Sequence, residues 1–81
     1  MNNINSIISK INKLYHESPQ IHINIKSSRP KQILNNVFVV ITGVYPNIFC
    51  VEEINAKYPK KYSFQYADIL IGKVEIIEFR Q

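Results

Sequence analysis

The run NVFVVITGV, residues 36 to 44, constrains this chain more than any other stretch. In an extended strand Val37, Val39 and Ile41 fall on one face and Phe38 and Val40 on the other, because successive side chains alternate. A strand that is apolar on both faces must be covered on both faces. The N-terminus supplies one cover. Ile4, Ile7, Ile8, Ile11 and Leu14 recur at helical spacing and make one apolar stripe over residues 4 to 15. Asn3 is placed to cap the start of this helix, and Lys10 and Lys13 suit the negative end of its dipole. Ser18-Pro19 ends it, since the residue before proline avoids the helical region. The stripe is therefore expected to lie over Phe38 and Val40.

Four further strands follow from period-two alternation. Ile21, Ile23 and Ile25 alternate with His22, Asn24 and Lys26. The central run covers residues 33 to 45, with a bulge or bend at Gly43, and Tyr45-Pro46-Asn47 is turn chemistry. Ile48 to Glu53, Tyr62 to Ala67 and Lys73 to Phe79 complete the set. Between the last two, Asp68 is expected to cap a single 3₁₀ turn of Ile69, Leu70 and Ile71, closed by Gly72 in the left-handed conformation. Five short strands leave two edges at risk unless the sheet closes or half-closes into a barrel. The expected fold is mainly β: a five-stranded SH3-like small barrel over residues 21 to 79 with an N-terminal α-helix, one domain spanning residues 1 to 81. The step from five strands to that barrel is analogy.

With 81 residues and one cysteine, Cys50, the chain must hold together by its core alone. The N-terminal segment has no uninterrupted apolar run, so it reads as neither signal peptide nor membrane span, and the expected location is the cytoplasm. The net charge of +4 is uneven. Residues 1 to 42 carry Lys10, Lys13, Lys26, Arg29 and Lys31 against Glu17, while the remainder balances. That surplus hints at an anionic partner.

Catalytic chemistry finds little support. Glu52 and Glu53 are adjacent on a strand and point to opposite faces, so they cannot work as an acid–base pair. His16, His22 and Cys50 lack metal-ligand spacing, and two glycines cannot build a phosphate cradle. His22 reads as a surface histidine and Cys50 as a buried filler. No cofactor or metal is expected. A nucleic-acid interface is the more serious idea, because small barrels stack bases on sheet aromatics beside a basic groove. Tyr62, Phe64 and Tyr66 form such a stripe. The opposite face, Ser63, Gln65 and Ala67, is too polar for an interior, so the stripe itself is expected in the core, with Tyr66 nearest the rim and most able to show its hydroxyl to solvent. The candidate partner-binding residues are Arg29, Lys31, Lys60, Lys61 and Tyr66.

TGVYPNIFCVEE (42 to 53) followed by YSFQYADILIGKVEI (62 to 76) resembles the Veg family of small proteins from Gram-positive bacteria. The matching residues are Tyr45, Pro46 and Phe49, then Ser63, Phe64, Tyr66, Ala67, Asp68, Ile69, Leu70, Val74 and Glu75. The resemblance covers roughly residues 4 to 79. It implies a non-enzymatic cytoplasmic protein that promotes biofilm formation by relieving a transcriptional repressor of matrix genes through protein contact, with a further link to spore outgrowth. The implied partner is a transcriptional regulator, no membrane is implied, and self-association stays open. The alternative reading is a small-barrel protein binding RNA or single-stranded DNA. The chain departs from the family at Ser27 to Gln32, which is less basic than its counterpart and lacks glycine.

Overall fold

The apolar stripe at the N-terminus folds as helix α1, Ile4–Glu17, in the computed structural model, which describes residues 3–28 and 31–79. Asn3 caps it as expected: the backbone there is extended, and Oδ1 accepts the Ser6 N–H at 2.9 Å. At the far end the Ser18 N–H donates to the Leu14 carbonyl at 2.8 Å. The helix runs two residues past the expected Tyr15, up to the residue before Ser18-Pro19.

Five strands follow: β1 Gln20–Ser28, β2 Lys31–Val44, β3 Ile48–Glu53, β4 Lys61–Gln65 and β5 Val74–Ile76. They form one antiparallel sheet in the order β4-β3-β2-β1-β5, curled into a half-barrel. The expected mainly β, five-stranded barrel with an N-terminal helix is thus present. Two irregularities shape it. Between Ile23 and Ile25 the β1–β2 register shifts, so β2 carries one extra residue there. Asn36 absorbs it with φ 56°, a region Asn tolerates, and its N–H is held by the Asn24 Oδ1 at 2.8 Å. The second shift lies beside Gly43, between Ile41 and the β2 end, as the glycine suggested.

These bulges decide which face is inside. Ile21, Ile23, Ile25, Val39, Ile41, Phe49, Val51 and Ile76 meet Ile7 and Ile11 of α1 in a single buried cluster. Each such side chain contributes about 1.5–3 kcal/mol on burial. Helix α1 packs against β2 on this inner face. Phe38 and Val40 are not beneath it: they lie half-buried on the outer face, where the Phe38 ring stacks on His22 at 4.7 Å. The expected pairing of helix and strand is right, but the face is the other one. The sheet curls around the Val39–Ile41 side, which encloses the helix and makes this the inner face.

The segment after β4 also differs from expectation. It is a short helix, α2, Tyr66–Leu70, and Gln65 precedes it as the cap. Asp68 sits in its first turn, with Oδ2 accepting the Gln65 N–H at 3.0 Å, the return half of a capping box. Gly72 does take the left-handed conformation, φ 85°. β5 is shorter than the alternation of residues 73 to 79 implied, because Ile77–Phe79 turns into a 3₁₀ helix. No helix among the described residues is long and apolar enough to cross a membrane.

Candidate functional site

The aromatic stripe on β4 faces inward. Tyr62 and Phe64 are half-buried, stacked at 5.8 Å, and packed on the edge of the core. Phe64 meets Phe49 at 5.7 Å. The Tyr62 hydroxyl donates to Glu53 Oε2 at 3.3 Å, and Oε1 of the same carboxylate accepts the Lys60 N–H at 3.0 Å. Burial first, and then the Glu53 charge, raise the Tyr62 hydroxyl above its ordinary pKa.

Tyr66 is the clearest correction. It is only 1% exposed. Its ring stacks on Phe49 at 5.6 Å, and its hydroxyl donates to the Tyr45 carbonyl at 2.6 Å. Burial pushes its pKa up. The hydroxyl that was expected at the rim therefore points into the protein, because the chain turns into α2 at this residue and carries the ring under the sheet. A base cannot stack on it while the core is intact.

The lysines separate into two groups. Lys60 and Lys61 are exposed together at the start of β4, with Lys61 across from Glu52 of β3. Lys31 is exposed at the start of β2. Glu52 is in register with Val40, and from Lys31 to Val40 is about 30 Å of strand. The fold does not bring Lys31 and the Lys60–Lys61 pair into one patch. Arg29 lies outside the described residues.

Two other residues differ from their reading in the sequence. Glu78 is bound twice by His22: Oε1 accepts the backbone N–H at 2.8 Å, and Oε2 meets Nδ1 at 2.7 Å. Desolvation raises the Glu78 pKa, but the His22 hydrogen bonds outweigh it and the net shift is downward. His22 is thus a structural clasp rather than a bare surface histidine; its partner is 56 residues away, so no local signal marks it. Cys50 is half-buried on the outer face, not a core filler, with Sγ 3.3 Å from Ser63 Oγ.

Two open clefts flank the C-terminal elements. The larger, about 580 Å³, is bordered by Asn24, Lys26, Ile69, Val74, Glu75 and Phe79. The smaller, about 310 Å³, lies between Lys10, Lys13 and Leu14 of α1 and Glu78 and Phe79, with the Lys10 ammonium 5.4 Å from the Phe79 ring centre. Neither gathers a nucleophile with a base. Among the described residues no group of three or more His, Cys, Asp or Glu is placed to hold a metal ion. At β4 an open main-chain edge, exposed lysines and half-buried aromatic rings come together. A family model described as biofilm formation stimulator VEG matches residues 2–77. No curated protein matches the chain.

Proposed function

As the chain belongs to the Veg family of biofilm formation stimulators, we propose that it is a non-enzymatic regulatory protein of the cytoplasm that stimulates biofilm formation by contact with another protein. The partner in this reading is a transcriptional repressor of matrix genes, whose hold on DNA the contact relieves. The observation that carries the proposal is the extent of the family match, which takes in α1 and the whole curled sheet. The surface agrees with it in character: the exposed lysines, Lys60 and Lys61, border an open sheet edge rather than a pocket.

The test is a deletion in the host bacterium. Loss of the gene should thin the biofilm and lower matrix-gene transcripts, and deleting the repressor as well should restore both. In vitro, adding the purified protein to a repressor–operator complex should release the DNA. A deletion that leaves biofilm and transcripts unchanged refutes the proposal.

Single-stranded nucleic acid is the rival partner. Of its two stacking candidates, Tyr66 lies inside the core and Tyr62 is half-buried, and its lysines lie at two ends of the sheet. If it held nonetheless, affinity would fall with log salt at a slope of about −0.7 per phosphate contacted.

A further inference from the structure

The free edge of β4 is complementary to itself. The Glu53 N–H donates to the Lys60 carbonyl at 3.0 Å, which fixes the phase of the β3–β4 ladder. In an antiparallel pair, bonded and non-bonded positions alternate. The main-chain groups of Tyr62 and Phe64 therefore bond to β3, and those of Lys61, Ser63 and Gln65 point away, toward the open edge. Lys61, Ser63 and Gln65 are also exposed. The Gln65 N–H is taken by Asp68, and its carbonyl, as the N-cap of α2, is the acceptor of that helix's first turn. On the inner side α1 packs on β2 and α2, leaving Tyr62 and Phe64 half-buried at the sheet margin.

We propose that β4 pairs antiparallel with β4 of a second copy about a two-fold axis at Ser63, joining two half-barrels into one continuous sheet. In this register Ser63 faces Ser63, Lys61 faces Gln65 and Tyr62 faces Phe64. The two serines exchange a pair of N–H···O bonds at the axis. The Asp68 carboxylate, by occupying the Gln65 N–H, ends the ladder there. Charge selects this arrangement. The lysine end of one strand meets the Asp68 end of the other, whereas parallel pairing would set Lys61 against Lys61. The aromatic pairs bury ring surface that each copy alone leaves half-covered. A strand of five residues makes a contact well below the usual interface size of about 1,600 Å², so the dimer is weak and concentration-dependent. This inference stands apart from the biofilm reading, and either can fail without the other.

Sedimentation velocity of the full chain from about 10 µM to 1 mM, the range a contact this small would need, tests it. The 9.5 kDa monomer should give way to a dimer as concentration rises. Ser63→Pro deletes an N–H that faces the edge while sparing the β3 ladder, and should stay monomeric throughout. Gln65→Lys puts lysine opposite Lys61 twice per dimer and should weaken association about 2- to 30-fold. Adding Lys61→Glu to it should restore dimerisation, an outcome that does not depend on Ser63→Pro folding. Amide exchange should show Ser63 gaining protection with concentration, with Tyr62 and Phe64 protected throughout. A wild type that is monomeric at the highest concentration overturns the proposal. So does a dimer that both Ser63→Pro and Gln65→Lys leave intact.

Discussion

Replacing Tyr66 by phenylalanine removes one oxygen and keeps the ring, so it isolates the hydrogen bond to the Tyr45 carbonyl. That bond is 2.6 Å long and belongs to a residue 1% exposed. Its net worth is about 1–1.5 kcal/mol, with the deserted carbonyl setting the upper end. For a domain of this length each kcal/mol shifts Tm by about 4–8 °C, so Tyr66→Phe should melt roughly 4–12 °C lower. Tyr66→Ala removes the ring as well and should cost about 3–5 kcal/mol. An 81-residue domain holds only about 4–12 kcal/mol in total, so the alanine variant stands close to unfolding. Urea titration followed by circular dichroism measures both. Alkaline pH gives a second reading. Burial raises the Tyr66 pKa in the folded state above its ordinary 10.0. Its stabilising contribution is therefore complete below that value and is lost as pH rises through the folded pKa. Tyr62 shares this behaviour, so the difference between wild type and Tyr66→Phe is what reports on Tyr66. A phenylalanine variant as stable as wild type, together with an alanine variant costing less than about 1 kcal/mol, would show that the ring is not in the core. It would also reopen the base-stacking role.

Three further expectations rest on the same structure. The Glu78 carboxylate has a lowered folded pKa, so its contribution is present above its ordinary 4.5 and lost as pH falls through the folded value. Glu78→Gln should cost about 0.5–1 kcal/mol at neutral pH, allowing for solvent screening, and should flatten part of the acid-side fall in the urea midpoint. Gly72→Ala meets no atom within 4 Å, so its penalty is purely that of φ 85°, about 1–2 kcal/mol by thermal melting. Deleting residues 1 to 17 removes Ile7 and Ile11, buried to 5% and 0% exposure, and should yield aggregated or unfolded chain by size exclusion and circular dichroism.

The strands were legible because alternation is local. Ile21, Ile23 and Ile25 read as one face and are one buried face. Which face of β2 would be concave was not legible, since Phe38 and Val40 are as apolar as Val39 and Ile41. The decision rests on the sheet's curl and on a bulge at Asn36 whose support comes from Asn24, across the hairpin. Asp68 was read as a cap because the same residue types serve at the cap and in the first turn; only the end of β4 at Gln65 separates the two. The candidate lysines were visible as charges. Their separation was not, because it depends on strand length and register. Alternation places Tyr66 in the inward stripe, but its depth follows from the switch to α2 at that very residue.

The neighbour relation between β1 and β5 sets the order in which this chain can fold. Ile23 pairs with Ile76 and His22 with Glu78, whereas β1 with β2, β2 with β3 and β3 with β4 are hairpin neighbours. Hairpins close in about 1–10 µs, but joining β5 to β1 must first overcome the closure entropy of the whole intervening chain. The β1–β2–β3–β4 meander is thus the natural nucleus, and the β1–β5 seam with its His22–Glu78 clasp is expected to form after the rate-limiting step, which φ-values near zero at Ile76 and Glu78 would show. Weakening that seam should then leave the folding rate nearly unchanged and speed unfolding, so that the last strand sets the lifetime of the native state rather than its rate of formation.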